Sequence, residues 1–228
     1  MSCRSVIILG YGVELRRVQS LLEQQQELDL AGVVSWFGYD QPAPDSVEIP
    51  QGALVLGHVD DLKSLVAKHQ SGVLLALSRP EDRWEALGVC RQAGAQVQSL
   101  RAASAEVASD AELKEGSLVA QGCLIESQAT VGVGSLLLPR TRLGIAARCG
   151  DAAVLESGAV LDDGARIGDE VHLGSGARIL AGRIVGRSSL VLPGSIVTSD
   201  VEAGTIVAGS PAEVVQPKIF SEGDQAQG

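Results

Sequence analysis

Aromatic side chains are scarce: Phe, Trp and Tyr make up 3% of the 228 residues, and there is one Met. Any core must therefore be aliphatic. Basic residues are outnumbered, 18 Lys and Arg against 28 Asp and Glu, for a formal net charge of −10 at pH 7. This excludes nucleic acid and anionic membrane as expected partners, because both are bound through a basic footprint. No apolar run is long enough to span a bilayer. The opening residues MSCRSVIILGYG carry a short apolar run with no small-residue cleavage site, and read as a first strand rather than a signal peptide. The four cysteines, Cys3, Cys90, Cys123 and Cys149, show no metal-ligand spacing. Reduced thiols in a cytoplasmic protein are expected, with no metal.

What is abundant is a period of six. Every sixth residue from Val107 is apolar: Val107, Leu113, Val119, Ile125, Val131, Leu137, Leu143, Cys149, Leu155, Leu161, Ile167, Leu173, Ile179, Val185, Val191 and Val197. Two residues before each stands a small residue, from Ala105, Ala111 and Ser117 to Ser189 and Ser195, with Val171 and Arg183 the exceptions. Strands repeat every two residues and helices every 3.6, so six means a short strand and a tight corner. The apolar side chain points inward, the small one fills the corner, and glycines such as Gly132 and Gly150 ease the bend. Three units close a triangular coil. Coils about 4.8 Å apart pair through backbone hydrogen bonds. The pattern predicts a solenoid in which each coil buries its neighbour's core.

Ahead of the repeat, strands and helices alternate. Strands are expected over 4–9, 29–36, 53–56 and 72–78. Gly10-Tyr11-Gly12 leads into helical spacing at Leu15, Val18, Leu21 and Leu22; further helices start at Asp60 and span 81–93. Residues 37–52, with Pro42, Pro44 and Pro50, read as a loop. Such alternation predicts a small parallel α/β unit. The expected organisation is an α/β domain over 1–100, an all-β parallel helix over 101–212 and a polar, frayed tail over 213–228.

The α/β unit, the hexapeptide ladder and the closing Gly209-Ser210-Pro211-Ala212 together resemble the NeuD/PglD-type sugar acetyltransferases over about residues 4–215. Shorter echoes are Gly57-His58-Val59-Asp60-Asp61-Leu62, Ala93-Gly94-Ala95 and Ser157-Gly158-Ala159-Val160-Leu161-Asp162. The resemblance implies a Rossmann-like first domain and a left-handed β-helix. It implies a homotrimer with acetyl-CoA, the acyl donor, lying between adjacent prisms and a nucleotide-linked sugar held by the first domain. The implied activity is acetyl transfer to an amino or hydroxyl group of that sugar. Carried over by residue, Gly182, Gly209, Pro211 and Ala212 belong to the donor, and Gly10, Gly12 and Asp60 to the substrate. His172 matches a family histidine near the acetyl group.

The chain also departs from that pattern. The family's catalytic histidine aligns with Asp163, and the acidic residue after it with Gly164. Leu15 replaces a loop glycine, Glu14 would repel a phosphate near the helix start, and the part from Ala181 to Gly209 is about one coil short. These departures support a second reading, an inactive relative serving as a trimeric binding or assembly subunit.

Acyl transfer from a thioester needs a base at the attacking atom and a donor for the oxyanion. The candidates are Asp163 and His172, nine residues apart and so on different parts of the prism; they can share a site only across a subunit interface. Each has a bland alternative, a solvated surface carboxylate and a surface or interface histidine. Arg148 and Arg166, eighteen residues apart, stack on one outward face, and Arg142 and Arg178 lie on another. Stacked arginines need anions: either Asp151, Asp169 and Glu170 in a salt-bridge ladder, or a coenzyme A phosphate. Leu136, Val154, His172 and Leu190 recur every eighteen residues as an outward stripe, which predicts a trimer interface. A three-histidine zinc site is excluded, because His58 and His69 belong to the first domain.

Overall fold

A computed structural model describes residues 4–25, 27–36 and 54–217. The predicted loop over 37–52, Cys3 and the last residues, 218–228, lie outside them. Strands β1 (Arg4–Gly10), β2 (Leu28–Ser35), β3 (Val55–His58) and β4 (Gly72–Ala76) form a parallel sheet in the order β3-β2-β1-β4. Helices α1 (Gly12–Leu22), α2 (Leu62–His69) and α3 (Pro80–Ala93) pack on it. The two-residue period of the strands sorts the core. Val6, Ile8, Leu74 and Ala76 cluster with Leu15, Val18 and Leu21 of α1. Ile7, Leu9, Val73 and Leu75 cluster with Leu62 of α2 and with Ala86, Leu87 and Cys90 of α3.

From Leu100 the chain winds into stacked coils whose two-residue strands fall where the period of six places them. Three parallel sheets make the faces of a prism. Face one runs through Leu100–Arg101, Leu118–Val119, Leu136–Leu137, Val154–Leu155, His172–Leu173 and Leu190–Val191. Face two runs from Glu106–Val107 through Arg142–Leu143 and Arg178–Ile179 to Ile196–Val197. Face three runs from Glu112–Leu113 through Arg148–Cys149 and Arg166–Ile167 to Ile184–Val185. The inward residues from Val119 to Val197 are at most 4% exposed. Cys149 is one of them, and burial pushes its thiol up to about 12. The corners stack closely: a Cβ on Gly150 would lie 2.4 Å from the Gly168 carbonyl carbon, so no side chain fits there.

Both ends differ from the periodic expectation. Leu100–Arg101 is a further strand, paired with Leu118–Val119. Arg101 takes an inward register position in this open first coil and is exposed, so no apolar residue announces it. At the other end Thr205–Gly209 joins face one, and Ala212–Pro217 returns antiparallel beside it. Residues 213–217, expected in the frayed tail, are therefore paired strand. The β-branched Val214 and Val215 suit that pairing better than the polar residues after them.

The α/β unit sits on face one. The outward Leu118, Leu136 and Val154 are 1%, 2% and 1% exposed and belong to the α1-side cluster. From α3, the fully buried Arg83 donates from Nε to the Gly134 carbonyl and from Nη1 to the Leu75 and Leu77 carbonyls, at 3.3 and 2.8 Å. This corrects the predicted trimer stripe: Leu136 and Val154 are covered within the chain. Periodicity identifies outward positions and cannot say what covers them.

Candidate functional site

His172 is the outward residue of its face-one strand, with Val154 one coil below and Leu190 one coil above. Its Nε2 lies 3.0 Å from Oε1 of Glu156. The other carboxylate oxygen of Glu156 accepts the Ser175 N–H at 2.9 Å and the Ser175 hydroxyl at 2.6 Å. Partial burial works to raise the Glu156 pKa. The bonds from Ser175 and His172 together outweigh it, so the carboxyl is held below its usual range. An ionised Glu156 accepts the Nε2 hydrogen and leaves Nδ1 as the basic lone pair.

Glu156 and Ser175 were not among the sequence candidates. The signal is a diagonal of sixteen residues, from an outward strand residue to the residue after the inward one in the coil below. The same diagonal joins Arg142 to Glu126 at 2.7 Å and Arg178 to Asp162 at 2.9 Å. It becomes readable only once three units per coil are assumed.

Asp163 stands elsewhere, at the edge between faces two and three, with its side chain 59% exposed. Its Oδ1 accepts the Ile145 N–H at 3.0 Å and lies 4.0 Å from Arg142. Asp151 holds the Val133 N–H in the same way, and Asp169 the Asp151 N–H, both at 2.8 Å. These carboxylates tie down corners of the coil below. One chain does not bring Asp163 and His172 together.

The arginines divide into two kinds. On face two, Arg142 and Arg178 form a ladder with Glu126 and Asp162. On face three, Arg148 and Arg166 stack directly, are exposed, and make no side-chain bond with the described residues. Two of their expected partners, Asp151 and Asp169, hold backbone N–H groups, and Glu170 lies 3.7 Å from Arg187.

In the first domain, a Cβ on Gly10 would lie 2.1 Å from the Ala76 carbonyl oxygen, so the close approach of β1 and β4 alone requires glycine. Gly12 opens α1 with φ 65° and open space around it. Glu14, in the same turn, is buried and paired with Arg17 at 2.7 Å. Asp60 is exposed in a 3₁₀ turn (Val59–Asp61). Gly182 is an exposed corner. Gly209, Pro211 and Ala212 belong to the turn of the terminal hairpin, where the Gly209 N–H donates to Ser195 Oγ at 3.2 Å. At the edge between faces one and two, an open groove of about 460 Å³ is lined by Gln121, Gly122, Pro139, Arg140, Ser157 and Gly158. Among the described residues no group of three or more His, Cys, Asp and Glu is placed to hold a metal ion, and no helix is long and apolar enough to cross a membrane.

No family model matches the chain. A 2,3,4,5-tetrahydropyridine-2,6-dicarboxylate N-acetyltransferase of Staphylococcus aureus is 55% identical over 40 residues, 18% of this chain; the match spans only 17% of that relative's length. Solved structures are similar over nearly the whole chain. A variant of perosamine N-acetyltransferase from Caulobacter crescentus, in complex with CoA and GDP-perosamine, has a TM-score of 0.84 at 23% identity, covering 93% of this chain and 97% of that one. The acetyltransferase domain of PglB from Neisseria gonorrhoeae has 0.78 at 20%, covering 93% and 100%. WeeI from Acinetobacter baumannii has 0.78 at 21%, covering 92% and 100%. The chain has their fold, an α/β domain followed by a left-handed parallel β-helix.

Proposed function

We propose that this chain transfers an acetyl group from acetyl-CoA to an amino or hydroxyl group of a nucleotide-linked sugar. The observation that carries the reading is His172 held by an ionised Glu156, on a fold shared with sugar acetyltransferases. One neighbour was solved with CoA and GDP-perosamine, another with acetyl coenzyme A.

In this reading His172 Nδ1 takes the proton from the attacking nitrogen or oxygen as that atom bonds to the thioester carbonyl carbon. The tetrahedral oxyanion then collapses, the carbon–sulfur bond breaks, and the imidazolium returns its proton to the coenzyme A sulfur. Glu156 orients the ring and stabilises its positive charge. Arg148 and Arg166, without side-chain partners among the described residues, suit the donor's phosphates, together with Gly182, Gly209, Pro211 and Ala212. Gly10, Gly12 and Asp60 belong to the nucleotide-sugar side, and Asp163 enters only from a neighbouring chain. A cytoplasmic setting agrees with the free, buried Cys90, Cys123 and Cys149.

Calorimetric titration of coenzyme A is expected to show saturable binding at about one per chain; absence of binding at millimolar ligand would remove the transferase reading. Binding without release of the coenzyme A thiol from acetyl-CoA in the presence of any nucleotide-sugar would favour the inactive binding subunit. A homotrimer is part of the proposal, supported by the exposed Leu124, Ile145 and Ile184 on the outer surface of the prism. Light scattering should give about three times the 23.6 kDa chain mass, and a monomeric mass would refute the trimer.

A further inference from the structure

Along the edge between faces one and two, the corner residues Gly122, Arg140, Gly158, Gly176 and Gly194 stand one coil apart, all in the left-handed region with φ between 64° and 73°. Four are glycine, the residue that adopts this conformation without a Cβ penalty. Of these five, Arg140 alone carries a side chain, at φ 64°.

The surroundings of Arg140 point to a ligand. Its stem lies over the corner below, where a Cβ on Gly122 would sit 3.5 Å from Arg140 Cγ. Its guanidinium makes no side-chain bond with the described residues, in a chain of net charge −10. It lines the groove of about 460 Å³ with Gln121 and Ser157, whose polar side chains also lack partners among the described residues. That volume falls within the roughly 300–1,000 Å³ of small-molecule sites. The groove is also lined by Ser157 and Gly158, next in sequence to Glu156. Ser175 lies one coil above Ser157, so Arg140 is two coil spacings, about 10 Å, below the residue that holds Glu156.

We propose that this groove is an anion subsite for a phosphate or pyrophosphate group, with Arg140 as its charge and Gln121 and Ser157 as neutral donors. The planar guanidinium matches phosphate oxygens two at a time. Its place below Glu156 directs the rest of the bound molecule toward His172. The inference rests on the proposed acetyl transfer only for which reactant is held, since a nucleotide-linked sugar and coenzyme A both carry a pyrophosphate.

The test is calorimetric binding of inorganic pyrophosphate, GDP and coenzyme A to the full chain and to Arg140→Gly. The wild type should bind pyrophosphate and at least one of the other two. Arg140→Gly should weaken pyrophosphate binding by about tenfold to a hundredfold, and whichever of GDP and coenzyme A weakens with it names the source of the anion. Because glycine suits this corner, the variant should melt at or above the wild-type temperature, so a binding loss is not a folding loss. Equal affinities in the two proteins, or no binding of any probe to the wild type, would overturn the subsite. Turnover separates the two ideas. Weakened binding in a protein that transfers no acetyl group would sink the transferase reading and leave the subsite. Unweakened binding with intact transfer would do the reverse.

Discussion

His172→Ala is expected to slow the proposed acetyl transfer by about 10²–10⁴-fold while leaving the expected coenzyme A binding in place. The alanine removes the lone pair that takes the proton in the proposed transfer and leaves the inward Leu173 and the coil hydrogen bonds of residue 172 in place. Glu156→Gln should lower the rate in the same direction, because the amide keeps the shape but not the charge that stabilises the imidazolium. It also gives a readout independent of turnover. The Glu156 carboxyl is held below its usual range, against a burial effect, by Ser175 and His172. A depressed carboxylate contributes stability above its unfolded pKa and loses it as the pH falls through its folded value. The melting temperatures of wild type and Glu156→Gln should therefore converge in acid. Wild-type rates in His172→Ala would make this an ordinary surface histidine.

Arg83→Ala is expected to cost about 3–5 kcal/mol, or roughly 10 °C in Tm for a chain of this size. Burial lowers the Arg83 pKa to about 10, against the nearby Glu14 charge, so the guanidinium stays protonated at neutral pH. Its three carbonyl partners lie on β4, just beyond it, and at the Gly134 corner, so it ties the α/β unit to the prism. Alanine would leave those carbonyls without a donor and open a cavity. Arg83→Met fills the volume and should lose less. An unchanged Tm in thermal melts of Arg83→Ala would mean that the apolar contact at Leu118, Leu136 and Val154 alone holds the two parts together.

The residues themselves specified the coil. Its cause is local and repeated: an apolar side chain every six residues permits one inward direction, a small residue two before it permits one corner, and each repeat states the same constraint. The alternation of strands and helices before Leu100 was readable for the same reason, because each element carries its own period. Arg101 shows the limit, since an end coil has no partner to demand an apolar residue.

The tertiary structure alone decided the side-chain partners between coils and the contact between the two parts of the chain. Leu136 and Val154 are outward by period, yet buried, because the sheet and α1 take face one. His172 has a partner because Glu156, sixteen residues earlier, falls on a diagonal that exists only when the coils stack. Arg148 and Arg166 lack side-chain partners among the described residues because Asp151 and Asp169, near them in sequence, turn to backbone N–H groups at the corners. Period is a property of one strand of sequence. A hydrogen-bond partner is a choice among neighbours, and the neighbours are set by how the coils stack and where the first domain lies.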